Sequence, residues 1–552
     1  MYQYDDYDRQ VVSDRVQQFK GQMDRYLQGE LSEEVFLPLR LQNGLYVQKH
    51  APMLRVAVPY GMLSAQQLRK VSVVSRRYDR GYCHITTRQN IQFNWVEMDQ
   101  VPTILEQLLD VDMHAIQTSG NCIRNTTCDP LAGVAKDEAV DPRPYCEIIR
   151  QWSMIHPEFA FLPRKFKIAV IGASEDRASI QLHDIGLRLI KNKEGNVGFQ
   201  VWVGGGLGRT PVLASVLREF LPQRELLAYL KAVLRVFNLH GRRDNKYKAR
   251  IKILVKALGV ANFKEQVEDQ FNQTRSAEYL LDDNELKHAQ SFFQAPPYEP
   301  VDAVQIEAEL AGLRRHNLLF DRWVAYNVTD HKVPGYAAVT LSLKSAGQAP
   351  GDISASQLDW VAELSERYSF GEVRTSQQQN LILPDVKIAS LYALWRESTQ
   401  AELATPTIGT AADIVCCPGA DFCNLATARS IPVSSAIQQR FTDLDNLYDL
   451  GKISLRISGC INACAHHHIA NIGILGVDKG GQEYYQITLG GRSGSDAQLG
   501  KVLGPSVPAD AVADAMTDLF QVYLNHRNSH AETFVDTYQR IGRAPFKEQV
   551  YA

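Results

Sequence analysis

RRYDRGYCHITTRQNIQFNWV, residues 76–96, has a second copy in the same chain. It lies without a gap on ERYSFGEVRTSQQQNLILPDV, residues 366–386, at an offset of 290. Arg77, Tyr78, Gly81, Gln89 and Asn90 meet identical residues, and Thr86 meets Ser376. Within the first copy, residues 82–96 alternate. His84, Thr86, Arg88, Asn90, Gln92 and Asn94 fall on one side, and Cys83, Ile85, Ile91, Phe93 and Trp95 on the other. That pattern predicts a strand with one core face and one wholly polar face. The polar face meets either water or a large anionic ligand.

Working outward, the match continues. FKIAVIGAS…HDIGL (166–187) pairs with ISLRISGCI…ANIGI (453–474) at an offset of 287, with Gly172/Gly459 and Gly186/Gly473 in register. GFQVWVGGGLG resembles EYYQITLGGRSG in the same way. The order is therefore A, B, A′, B′, with the Pro-rich FQAPPYEP (293–300) as the seam. This predicts an internally duplicated α/β fold of mixed sheets about a pseudo-two-fold axis. The copies have diverged: Arg88 becomes Gln378 and Gln92 becomes Ile382, so the polar face is better kept in the first half.

The 552 residues are 45% hydrophobic and 22% charged, with a net charge of −3, an ordinary globular composition. Such a balance gives no support to nucleic acid or a membrane surface as the main partner. No run of 18 apolar residues exists, so no transmembrane helix is expected. The opening MYQYDDYDRQVVSDRVQQFKGQ has no apolar signal region, which makes a cytoplasmic location the expectation. In that compartment the nine cysteines are thiols or metal ligands rather than disulfides.

VCCPGADFCNLA supplies Cys416, Cys417 and Cys423, and SGCINACAHHH supplies Cys460 and Cys464. A C-x5-C pair followed by a C-x3-C pair suits a tetrahedral zinc site or an iron–sulfur cluster. The spacings are wider than zinc-ribbon knuckles, which favours the cluster. Cys417 fits the spacing, and Cys416 is expected to point away. His466, His467 and His468 cannot all face one ion, so packing or solvent exposure is the expectation for them. LPRKFKIAV (162–170) places Lys165 and Lys167 on one face of a strand entry. Arg124 falls in a Gly/Asn/Thr-rich loop, and Arg55 in an otherwise apolar strand. Singly, each reads as a salt bridge; together they suggest an anion pocket. VGGGLGRTP (203–211) fails G-x-G-x-x-G, so a close backbone approach is expected there, not a nucleotide.

TTRQNIQF, CIRN, LPRKFK, C-x5-C and GCINAC, in that order, resemble the sirohaem-dependent nitrite and sulfite reductases over about residues 45–545. Within that family the chain resembles the assimilatory sulfite reductase haemoprotein component. The resemblance implies an N-terminal arm (1–44), then a ferredoxin-like half-domain (45–115) and a sirohaem and substrate domain (116–295). Their second copies would span 310–400 and 401–552, the last carrying the iron–sulfur cluster. It implies one sirohaem and one [4Fe–4S] cluster held by Cys417, Cys423, Cys460 and Cys464, with Cys464 bridging to the haem iron. Sirohaem carries eight carboxylates, and His84, Arg88, Gln92, Arg164 and Asn462 match the positions that hold it. Arg55, Arg124, Lys165 and Lys167 match the substrate-binding quartet. The implied reaction is six-electron reduction of sulfite to sulfide, with nitrite to ammonia as the alternative on the same fold. A non-catalytic metal-binding scaffold would not need the four cations. Electrons would come from a separate protein, an NADPH-dependent flavoprotein or a ferredoxin. Asn94 departs from the family, which often has His there. Lys167 stands where plant-type nitrite reductases tend to have Asn.

Overall fold

The computed structural model describes residues 1–276 and 279–552. Two helices open the chain, α1 (Asp6–Leu27) and α2 (Glu33–Gln42), capped by the Asp5 and Ser32 side chains. α1 buries Val12, Val16, Phe19 and Met23, spaced as one helical stripe. Then come β1 (Leu45–Val47), β2 (Pro52–Val56), β3 (Met62–Ser64), helix α3 (Ala65–Tyr78), β4 (Tyr82–Ile85) and β5 (Ile91–Phe93).

The single strand expected over 82–96 is instead a hairpin. β4 and β5 pair antiparallel, with His84 opposite Gln92. The turn between them puts Gln89 at a φ of 58° and closes with Thr86 N–H donating to Asn90 O at 2.9 Å. No glycine or proline marks this turn, so residue pattern alone ran the strand through it. The alternation persists because His84 and Gln92, opposite each other, share a face.

The second copy repeats the unit as β11 (Val328–Asp330), β12 (Tyr336–Leu341), β13 (Asp352–Ser354), helix Ala355–Tyr368, β14 (Glu372–Thr375) and β15 (Leu381–Lys387). The halves exchange a strand. One sheet runs β1-β2-β5-β4-β13 and the other β11-β12-β15-β14-β3. Ser64 and Ser354 each form a capping box with the glutamine three residues on, Gln67 and Gln357. Ala65 N–H donates to Gly371 O at 3.0 Å, and Ala355 N–H to Gly81 O at 2.8 Å. Leu68, Val71 and Val74 on α3, and Leu358, Val361 and Leu364 on its counterpart, are fully buried. Each half thus completes the other's sheet.

The two larger domains are also copies. In the first, β6 (Thr127–Cys128), β7 (Ile168–Ile171) and β8 (Ile185–Lys191) are parallel, and β9 (Val197–Val203) and β10 (Ser215–Pro222) continue antiparallel. In the second, β16 (Val415–Cys416), β17 (Leu455–Ser458) and β18 (Ile472–Lys479) are parallel. There β19 (Gln482–Leu489) follows antiparallel, with β20 (Lys501–Val502) and β21 (Val507–Pro508) beside it. The correspondence reaches single hydrogen bonds. Ile185 N–H donates to Lys167 O and Ile472 N–H to Ser454 O, both at 3.1 Å. The Pro-rich seam, 293–300, carries no helix or strand. Among the described residues no helix is long and apolar enough to cross a membrane.

Candidate active site

The register of the first small sheet lines up one polar row across four strands. Arg55 faces Gln92, Gln92 faces His84, and His84 faces Asp352 of the other half. Arg55 Nε and Nη2 donate to Gln92 Oε1 at 2.9 and 2.6 Å, which turns the Gln92 amide NH2 to the opposite side. At the other end, His84 Nδ1 lies 2.7 Å from Asp352 Oδ1. His84 also borders a void about the size of one water, lined by Asn94, Asp352, Cys416, Cys417 and Phe422. The row therefore runs from a cation to the cysteine loop.

Arg88 sits in the hairpin turn. Its Nη2 donates to Asn125 O at 2.7 Å and its Nη1 lies 3.1 Å from His183 Nε2. Arg124 spends its N–H groups on the carbonyls of Thr118 (2.8 Å) and Gly120 (2.8 and 3.0 Å). Lys165 and Lys167 precede β7, tied to the Arg124 loop by the parallel bridge Ile123–Phe166. Arg164 is half-buried beside them. The carboxylate within this group is Asp184, and it is occupied: Arg250 binds it at 2.8 Å and the Lys167 backbone N–H caps it at 2.8 Å.

Charge of one sign, enclosed, works against itself. Burial, then Arg124 and Arg250, brings the Lys165 ammonium down to about 8. Burial, then Arg88, Lys165 and Arg250, pushes Lys167 well below its ordinary value. Burial, with Arg124, Arg250 and Arg55 adding to it, brings even the Arg88 guanidinium down to about 9. Half-buried cations without carboxylate partners are costly unless an anion joins them. The donor set is that of a polyanion site.

The cysteines close the other wall. Cys417, Cys423 and Cys460 are each held up by burial first and then by the charge of a neighbouring cysteine, Cys464 in every case. Their sulfurs already accept N–H donors: Gly459 N–H to Cys417 at 3.2 Å, Leu425 N–H to Cys423 at 3.4 Å and Asn462 Nδ2 to Cys460 at 3.5 Å. Among the described residues no three His, Cys, Asp or Glu side chains close to single-ion range. Four thiols brought together from two loops suit a multi-iron core with one ligand per corner. Cys464 is exposed, its carbonyl accepting from Thr87 Oγ1 at 2.7 Å, and its charge reaches Lys165 and Lys167. One sulfur thus faces both the other thiols and the cations. The Cys416 thiol packs in the core and donates to Cys417 O at 3.2 Å.

His466 and His467 are buried, and His468 Nε2 lies 3.2 Å from Gly208 O. The glycine-rich loop is a close approach: a Cβ on Gly205 would come within 2.4 Å of Gln181 O and 2.5 Å of His183 O. Lys252 clamps it by donating to the carbonyls of Gly206, Leu207 and Thr210. Residue patterns missed Asp184, Arg250 and His183. The run GRRDNKYKAR (241–250) was the available pointer to Arg250, through its density of basic residues.

The family profile described as "Nitrite and sulphite reductase 4Fe-4S domain" matches residues 119–275 and 410–552. The "Nitrite/Sulfite reductase ferredoxin-like half domain" matches 46–111 and 330–401. A sulfite reductase [ferredoxin] of Mycobacterium tuberculosis is 30% identical over 494 residues, covering 87% of this chain and 81% of the relative. The chloroplastic ferredoxin–nitrite reductase of Arabidopsis thaliana is 27% identical over 463 residues, covering 82% and 72%. The solved structure of the Mycobacterium tuberculosis NirA protein superposes with a TM-score of 0.77 at 27% identity, covering 96% of this chain and 97% of that one. The chain belongs to the nitrite and sulfite reductase family, oxidoreductases whose cofactors are sirohaem and one [4Fe–4S] cluster.

Proposed function

We propose that this chain reduces sulfite to sulfide with electrons from a ferredoxin-type protein. Cys417, Cys423, Cys460 and Cys464 would hold the cluster, and Cys464, which lies near both the other thiols and the cations, would serve the sirohaem as well. Arg88, Gln92, Arg164 and Asn462 would hold the sirohaem carboxylates, with His84 at the cluster end of the row. Arg55, Arg124, Lys165 and Lys167 hold the anion. When bound, the two cofactors supply electrons to that anion. The cations bind it and stabilise charge on its oxygens. Ferredoxin stands ahead of an NADPH flavoprotein because the relatives named above carry ferredoxin in their own names.

The observation that carries sulfite over nitrite is Lys167, a second ammonium beside Lys165. Sulfite brings two negative charges and nitrite one. At an effective dielectric near 20, a unit pair at ~4 Å is worth roughly 4 kcal/mol before desolvation. Removing one of four cations therefore costs the dianion more. Nitrite reduction is the second reading, supported by the nitrite reductase relatives. The test is Lys167→Asn, assayed on both anions with a dye donor. The ratio of kcat/KM for sulfite over nitrite should fall about tenfold or more. Equal losses on the two anions would remove the case for sulfite.

A further inference from the structure

Tyr46 has no part in the roles assigned above. It sits on β1 opposite Met53, and Met53 and Arg55 share a face of β2, so Tyr46 and Arg55 are diagonal neighbours. The Tyr46 hydroxyl is 3.4 Å from Arg55 Nη1, and the Arg55 guanidinium lies 5.0 Å from the centre of the ring. The same hydroxyl is 3.5 Å from Thr118 O, the carbonyl that Arg124 binds at 2.8 Å. The phenol therefore stands between the two guanidinium groups of the anion site. The buried Ser119 hydroxyl beside it has no hydrogen-bond partner of normal geometry. Burial alone would push the phenol up, but Arg55, Arg124 and Lys165 outweigh it and bring it down to about 8. Arginine cannot give up a proton at ordinary pH, yet reducing an oxyanion consumes protons.

Resting on the anion site assigned above, we propose that Tyr46 is a further catalytic residue whose phenol O–H gives a proton to the oxygen leaving the bound anion. For each oxygen removed, the bond between it and sulfur or nitrogen breaks and its electron pair stays on oxygen. Two electrons from the donor protein and two protons are consumed, and one water leaves. Tyr46 supplies one of those protons and regains it from solvent.

The test is Tyr46→Phe in the holoenzyme, which keeps the ring, its stacking on Arg55 and the strand. The kcat with a dye donor should fall about 100-fold, while anion affinity from optical titration stays within about threefold. Ultraviolet difference spectra of wild type minus variant should show one phenol ionising near 8 in the protein free of added anion. An unchanged kcat would overturn the proposal. So would an equal fall in kcat and anion affinity, which would mean that Tyr46 only seats Arg55, and so would a difference spectrum with no such phenol. A wild-type enzyme that reduces neither anion would instead overturn the reading on which this inference rests.

Discussion

The two copies of the larger domain fill one pair of loops with opposite chemistry. At the offset of 287–288, Cys417 and Cys464 of the second half stand where the first half has Asp129 and Arg177. Asp129 and Arg177 bind each other at 2.8 Å, and Arg177 also binds Asp137 at 2.9 Å. Ala135 and Ala173 take the positions of Cys423 and Cys460. One half ties its loops together with an ion pair, and the other presents thiols. The loops before β7 and β17 show the reverse trade. Lys167 N–H is capped by Asp184 and Ser454 N–H by Asn471, both at 2.8 Å. The backbone task is the same in each, but Lys167 and Asp184 are replaced by the neutral Ser454 and Asn471, while Lys165 keeps a lysine, Lys452, as its counterpart. Arg55 and Arg88 likewise face Thr340 and Gln378 across the pseudo-symmetry. On the function proposed above, a duplicated scaffold lets one half specialise in holding a metal cluster and the other in holding anions.

Exchanging residues between the copies tests this division. The largest effect should come from Cys464→Ser. Serine is a poor ligand for a soft iron–sulfide core, and the proposed function has this thiol serve both cofactors, so cluster and haem absorbance should both be lost. Cys416→Ser, at the neighbouring residue of Cys417, should keep both, since that thiol packs in the core. Iron content unchanged in the first variant, or lost in the second, would reverse the ligand assignment.

The first-half counterpart is Arg177→Met. It leaves Asp129 buried without its guanidinium, a loss of about 3 kcal/mol. Differential scanning calorimetry should show a lower melting temperature, while visible absorbance per protein stays at the wild-type value. Loss of cofactor absorbance with unchanged melting would mean that this loop, too, belongs to the cofactor site. The smallest expected effect is that of Arg88→Gln, which copies the second half. It removes a charge-assisted donor worth on the order of 1.5–3 kcal/mol, so sirohaem should leach on dialysis while cluster iron stays. Full haem retention would mean the turn faces something else.

The duplication, the thiol set and the basic residues were legible because each is a local pattern of residue types. The hairpin turn was not, because Gln89 adopts its left-handed backbone without a glycine to announce it. Nor was the strand exchange, since β3 and β13 look alike from sequence and only tertiary pairing decides which sheet each joins. Tyr46 and Asp184 lie in no motif. Their importance comes from the charges brought around them by distant segments, which residue order does not display. His84 matched a cofactor-binding position, yet its ring is hydrogen-bonded to Asp352 of the other half, a partner that only the exchanged strand supplies.

The central claim is that the metal centres lie between second-half thiols and first-half cations. An iron-edge anomalous difference map from crystals of the purified holoenzyme tests it most directly. The account predicts one compact peak bounded by Cys417, Cys423, Cys460 and Cys464, and a separate single-iron peak between Cys464 and the Lys165–Lys167 pair. A lone peak among the thiols, or iron at the Asp129–Arg177 loops of the first half, would contradict it.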